Sequence, residues 1–189
     1  GACIQLGVGG MPDAIGKLIA NSELKNLGIH TELLVNAYLD MYKARKITNL
    51  NKQGIMRGKS VFSIAHGTQE LFDWVANNPS MCCAPINYVN GLDVIGQLDN
   101  FVSINSCIAV DLFGQISAES AGTRHISGTG GQLDFLTAGF KNTKAQSFIA
   151  LPSTFTDRNG NLHSNIKPIF TGGDIITDPR SQAYTMVTE

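Results

Sequence analysis

Ala2-Cys3-Ile4-Gln5-Leu6-Gly7-Val8-Gly9-Gly10-Met11-Pro12 opens the chain, and the reading of these residues decides the fold. An apolar run of strand length meets three glycines within four positions, and Pro12 then leads into a helical pattern from Asp13 to Ser22. That order spells a strand, a tight turn and a helix whose free N–H groups face the turn. Proline suits a first helical turn, where its missing N–H costs nothing. A helix start of this kind attracts anions, including an oxyanion that develops during a reaction. The glycines admit positive φ and let the backbone approach a ligand closely. A dinucleotide fingerprint would need G-x-G-x-x-G, and here the sixth position is Pro12, so that fingerprint fails. The competing reading is a tight turn that holds no ligand.

Working outward, the next apolar run is Gly28-Ile29-His30-Thr31-Glu32. One strand–helix–strand unit thus returns the chain to the same sheet edge about 24 residues after the glycine loop. Glu32 ends this run in position to face the same crevice. A glutamate at a strand end is ordinarily solvated or salt-bridged, but a carboxylate held desolvated against a carbonyl is a covalent nucleophile. An anion cradle beside one carboxylate points to acyl transfer. Glu23 and Glu70 lie on helical segments and read as solvated, which leaves Glu119, after a loop, as the rival.

Farther along, strand-length apolar runs alternate with segments of 3.6-residue period, the pattern of βαβ units. Strands are expected at 2–6, 28–31, 60–65, 81–86, 101–110, 146–151 and 183–188, and helices at 12–22, 68–77, 91–97 and 131–139. Thr68 is placed to cap the second helix and Asn77-Asn78-Pro79 to stop it. Asp157-Arg158-Asn159-Gly160-Asn161 reads as a hairpin turn, because Asn-Gly favours the positive φ such turns need. The expected class is therefore α/β, with a mixed, mostly parallel sheet flanked by helices.

With 189 residues, 43% apolar and 15% charged, the chain can bury one sizeable core. A net charge of −1 gives no reason to expect a nucleic-acid partner. No apolar run approaches the roughly 20 residues that cross a bilayer, and no secretory signal stands at the start. Cys3, Cys82, Cys83 and Cys107 form no C-x-x-C pair and no zinc spacing with histidines, so no metal is expected and a reducing, cytoplasmic location is. Gly1 leads straight into a strand, and 183–189 reads as a strand without a closing turn, so a longer parent chain is expected.

Three further features bear on chemistry. Ser127-Gly128-Thr129-Gly130-Gly131-Gln132 is a second glycine loop opening a second helix, and again supplies outward N–H groups. Asn90, in Tyr88-Val89-Asn90, is placed to cap the following helix, to offer its amide to a substrate oxygen, or to do both. Six of the 14 Lys and Arg fall between Lys43 and Lys59, either as a solvated face or as a cleft that draws in a polyanion. His30, His66, His125 and His163 read as structural, although His30 shares a strand face with Glu32.

Taken together, Leu6 to Pro12, Gly28 to Glu32, Val102-Ser103-Ile104-Asn105-Ser106, Asp111-Leu112-Phe113-Gly114-Gln115 and Ser127 to Phe135 resemble the C-terminal half of the acetyl-CoA hydrolase/transferase family, the class I CoA-transferases. The 4-hydroxybutyrate and butyryl-CoA:acetate members are the nearest in pattern. The resemblance implies a NagB/RpiA/CoA-transferase-like domain over 1–189, the glutamate-bearing half of a two-domain enzyme. It implies CoA as co-substrate, a short-chain carboxylate acceptor, the N-terminal half of the same enzyme as partner, and a homo-oligomer. The catalytic glutamate falls on Glu32, with acyl-glutamyl anhydride and glutamyl-CoA thioester intermediates. The oxyanion donors fall on the N–H groups of Val8 and Gly131 and on the Asn90 amide. CoA contacts fall on Gly7, Val8, Gly9, Gly10, Met11, Ile108, Gly130 and Gly131. A lysine that the family sets against CoA has no counterpart: Thr156 stands in its place, with Lys144 and Arg158 some way off. A thioester hydrolase and a non-catalytic CoA-binding module are the alternatives.

Overall fold

The computed structural model describes residues 1–180 and 185–188. The first half runs β1 (Cys3–Leu6), α1 (Gly10–Ala20), β2 (Gly28–Leu34), α2 (Asn36–Lys43), β3 (Ser60–Ala65), α3 (Gln69–Val75), β4 (Met81–Cys83), α4 (Ile86–Val89), α5 (Leu92–Ile95) and β5 (Phe101–Ser106). Four short strands follow, β6 (Ala109–Asp111), β7 (Ile116–Ser117), β8 (Ser120–Ala121) and β9 (Arg124–His125). Then come α6 (Gln132–Lys141), β10 (Gln146–Ala150), β11 (Thr154–Thr156), β12 (Leu162–Ser164), β13 (Ile166–Lys167) and β14 (Thr185–Val187).

Seven strands form one sheet in the order β14-β10-β5-β1-β2-β3-β4, and every pair in it is parallel. The antiparallel pair foreseen from Asn159-Gly160 exists as the β11–β12 hairpin, but it stands apart from that sheet. Apolar residues of the strands feed a core on each face of the sheet, and a third, smaller one gathers Ile149 of β10 with Val110, Ile116 and Leu136. Ile4, Leu6, Ile29 and Leu34 pack with Ala37, Tyr38 and Met41 of α2 and Leu71 of α3 on one face. Cys3, Val61 and Phe101 pack with Val89, Ile95, Phe135 and Ala138 on the other. From β1 the chain winds outward to β4, then crosses back to lay β5 on the opposite side of β1. That reversal makes the carboxyl ends of β1 and β5 a switch point, where open α/β sheets leave a crevice.

Several elements differ from expectation for local reasons. The strand expected over 101–110 breaks at Cys107-Ile108, where the Ile108 N–H turns to the Ser117 carbonyl (2.9 Å) and carries the chain into a small sheet with β7 and β13. The strand expected over 81–86 ends at Cys83, because Pro85 starts α4. Helix α2 was not foreseen. Its Tyr38 hydroxyl accepts the Leu6 N–H at 2.6 Å and so completes the end of β1. Thr68 does precede α3, but its hydroxyl and N–H both donate to Asn36 Oδ1 instead of capping. Of the last expected strand, 185–187 is present and 183–184 lies outside the described residues.

Candidate active site

The site is assembled at the switch point, starting from its floor. Gln5 on β1 and Ser103 and Asn105 on β5 are buried polar residues in otherwise apolar strands. They satisfy one another: Gln5 Nε2 donates to Asn105 Oδ1 (3.0 Å), Ser103 Oγ to Gln5 Oε1 (2.7 Å), and Asn105 Nδ2 to Ser103 Oγ (2.9 Å). A closed network of this kind avoids the cost of burying unpaired amides and holds the two strand ends rigidly together. Above it lies a cleft of about 340 Å³, whose lining includes Gly7, Val8, Glu32, Asn105, Ile108 and the loop from Ser127 to Gln132.

Glu32 reaches this cleft because β2 outlasts β1. The two strands pair at Cys3↔Gly28 and Ile4↔Ile29, whereas β2 continues to Leu34. Side chains two apart share a face, and here His30 and Glu32 both turn toward α4. His30 Nε2 donates to the Val89 carbonyl at 2.7 Å, so the ring carries its proton on that nitrogen, while buried Nδ1 has no partner. Burial pushes the His30 pKa down to about 4, with the hydrogen bond to Val89 opposing and the nearby Lys52 charge adding. One residue on, Asn90 Nδ2 donates to Glu32 Oε2 at 2.7 Å and lies 3.2 Å from Asp134 Oδ2 in the first turn of α6. Gly91, not Asn90, precedes α5, so Asn90 does not cap that helix, and its amide is placed on Glu32 instead.

The two glycine loops supply the remaining walls. Gly9 takes φ 126°, a conformation that only glycine adopts at little cost, and it starts α1 with its carbonyl accepting the Asp13 N–H. Gly131 is buried, and a Cβ built on it would collide with both Glu32 Oε2 and Asn90 Nδ2. The second loop is braced by Glu119, whose carbonyl accepts the Ile126 and Ser127 N–H groups and whose carboxylate accepts the Thr129 hydroxyl at 3.1 Å. Glu119 is thus occupied with holding a loop, and Glu32 keeps the cleft. At the loop's end Gln132 Nε2 donates to Asp178 Oδ2 (2.5 Å), and burial pushes the Asp178 carboxyl above its ordinary range.

The residues singled out in the sequence divide between two clefts. Glu32, Gly7, Val8, Ile108, Gly130 and Gly131 line the one just described, and Asn90 touches Glu32 from behind it. Gly9 and Gly10 face a neighbouring cleft of about 650 Å³, lined also by Asp13, Lys17, Asp40, His66 and Glu70, while Met11 lines neither. The six cations of 43–59 do not converge. Lys43 pairs with Glu70, Arg57 bonds Gln53, and Lys52 is buried with its ammonium on the Ile29 and Lys59 carbonyls. Gln5, Asn105 and Asp134 were missed. For the first two the available signal was an amide side chain inside an apolar strand. Among the described residues no three His, Cys, Asp or Glu gather as metal ligands, and no helix is long and apolar enough to cross a membrane.

Residues 67–189 match the model of the acetyl-CoA hydrolase/transferase C-terminal domain. All 189 residues align at 54% identity with a Syntrophomonas wolfei protein named "Probable butyrate:acetyl-CoA coenzyme A-transferase". They align at 49% with the butyryl-CoA:acetate CoA-transferase of Anaerostipes caccae. The chain spans 42% of the length of each of these relatives. Among solved structures, the 4-hydroxybutyrate CoA-transferase of Porphyromonas gingivalis superposes with a TM-score of 0.79 at 36% identity, over 100% of this chain and 42% of that one.

Proposed function

Because the chain belongs to the acetyl-CoA hydrolase/transferase family, we propose that it is the glutamate-bearing C-terminal half of a CoA-transferase acting between an acyl-CoA thioester and a short-chain carboxylate of the acetate, butyrate or 4-hydroxybutyrate type. Glu32 is the nucleophile. Its carboxylate attacks the thioester carbonyl, and CoA thiolate leaves behind an acyl-glutamyl anhydride. The thiolate then attacks the glutamyl carbonyl, expels the acyl group as a free carboxylate, and remains as a glutamyl-CoA thioester. An incoming carboxylate runs both steps backwards and departs as the new acyl-CoA.

Each tetrahedral intermediate carries an oxyanion that needs preorganised donors, and losing one such donor costs roughly 10²–10³ in rate. The Val8 and Gly131 N–H groups and the Asn90 amide take that role. CoA runs along Gly7 to Met11, Ile108, Gly130 and Gly131, and the N-terminal half of the same enzyme closes the cleft from outside. The observation that carries this reading is the 2.7 Å hydrogen bond from Asn90 to Glu32, made beside a buried glycine where no side chain fits. The butyrate and acetate names of the relatives at 54% and 49% identity support the substrate class.

The test is a chemical trap on the full-length protein. Butyryl-CoA is added without acceptor, then borohydride, which reduces a glutamyl thioester to an alcohol. The peptide bearing Glu32 is expected to change mass accordingly. An unmodified Glu32 peptide from a sample that turns over substrate would overturn the assignment. Loss of acyl-CoA that proceeds equally well without acetate would instead identify a hydrolase.

A further inference from the structure

The hydrogen bond that carries the proposed function leaves one question open at atomic level: what decides which end of the Asn90 amide faces Glu32. Asn90 Oδ1 is buried and has no hydrogen-bond partner among the described residues. No donor therefore anchors the oxygen end. The nitrogen end is held by two acceptors, Glu32 Oε2 at 2.7 Å and Asp134 Oδ2 at 3.2 Å. A carboxamide NH₂ has two hydrogens, and two carboxylates take one each. Flipping the amide would place its oxygen against both.

The two acceptors are not equivalent through a catalytic cycle. On the reading of Glu32 as nucleophile, on which this inference rests, its carboxylate loses its charge when it becomes an anhydride and stays neutral as a thioester. At those moments Glu32 holds the amide only weakly. Asp134 undergoes no chemistry, and it sits at the start of α6, directly after the Gly130-Gly131 loop. We propose that Asp134 is a positioning residue, which keeps the Asn90 N–H aimed at the Glu32 carboxyl carbon's oxygens in every covalent state of the glutamate. Asp134 acts through Asn90 and touches no reacting atom. The same contact ties the second glycine loop to the end of α4, so the Gly131 and Asn90 donors move as one unit.

The experiment uses the full-length protein with Asp134→Ala, Asp134→Asn, Asn90→Ala and the double variant Asn90→Ala/Asp134→Ala. Two readouts are taken: the rate of glutamyl-CoA formation from butyryl-CoA in a single turnover, and crystal structures of the ligand-free variants. Asp134→Ala is expected to slow adduct formation by about 10–100-fold with KM for acyl-CoA unchanged, the pattern of lost transition-state stabilisation. Asp134→Asn can still accept through its own amide oxygen, and is expected to recover to within about threefold of the parent. In the Asn90→Ala background the Asp134→Ala change should cost less than about twofold, since the residue it positions is gone. In the crystal, Asp134→Ala should turn the Asn90 amide away from Glu32 and Asp134→Asn should not. An unmoved Asn90 amide in Asp134→Ala, or rate losses that add in the double variant, would overturn the proposal. Absence of any glutamyl adduct in the parent would overturn the function of Glu32, and the ligand-free structures would still decide the role of Asp134.

Discussion

Two clefts lie on either side of the loop Gly7–Gly10 and meet at Val8, and they differ in what the other walls can do. The wider, about 650 Å³, draws Asp13, Asp40 and Glu70 from three successive helices. Glu70 is tied to Lys43, and the Asn36 carboxamide oxygen in its lining accepts the Thr68 N–H and hydroxyl. The narrower, about 340 Å³, is lined by Glu32, whose carboxylate accepts the Asn90 amide at 2.7 Å and lies against Gly131 of the second glycine loop. Size is the customary first guide to a binding site. Here a donor already aimed at a carboxylate is the better guide, because chemistry needs preorganised groups, and among the described residues that line the two clefts Glu32 is the carboxylate that holds an amide donor.

The sharpest way to break that contrast is to remove a carboxylate from each side. Glu32→Gln keeps the shape of the narrow cleft and the Asn90 contact, yet abolishes the nucleophile, so turnover of the full-length protein should fall by at least about 10³-fold. Asp40→Asn in the wide cleft should stay within about twofold, because no donor among the described residues is aimed at its carboxylate. Steady-state CoA transfer to acetate measures both. Comparable losses from the two changes would mean that the wider cleft shares in the chemistry. A second, smaller effect follows from the backbone. Gly131→Ala inserts a methyl group where Glu32 Oε2 and Asn90 Nδ2 already lie, so something must shift. The expected cost is about 10²-fold in kcat with little change in folding, measured alongside a thermal melt.

How much of this could be read from the residues alone depended on whether the cause was local. Pro12 after the glycines marked the first turn of α1, which begins two residues earlier than expected, at Gly10, and the alternation of apolar runs with helical segments indicated the α/β class. The place of Glu32 on β2, at the cleft beside the glycine loop, was legible because one strand–helix–strand unit has a predictable return. What escaped was non-local. Helix α2 was hidden because Ala37, Tyr38, Leu39 and Met41 are buried on nearly all sides, which blurs a helical stripe. The entirely parallel main sheet could not be separated from a mixed one, since a hairpin turn does not say which sheet its strands join. Gln5, Asn105 and Asp134 matter only through partners 100 and 44 residues away. The cluster of cations misled for the converse reason: neighbours in sequence, they end on different carbonyls and carboxylates.

The smallest effect separates the clefts by stability instead of rate. His30 ties the end of α4 to β2 on the narrow side, and its pKa is pushed down to about 4 from 6.5. Between those values the unfolded chain binds more protons than the folded one, so stability rises with pH and is lost as pH falls from 6.5 toward 4. At pH 5 the loss should be on the order of 2 kcal/mol. Asp178 works in the opposite sense: its carboxyl is held above 3.8, so the folded state gains as pH falls through that raised value. Urea titrations of the full-length protein across this range, repeated with Asp178→Asn, isolate the histidine contribution. His30→Gln can keep a donor for the Val89 carbonyl but cannot titrate, and should flatten the slope of stability against pH. Amide exchange should then place the acid-induced opening at Val89 and Asn90, with the Thr68 amide on the wide side still protected by Asn36. Equal slopes in the parent and in His30→Gln would show that the buried histidine does not couple protons to the narrow cleft. Opening first at Thr68 would reverse the order of the two sides.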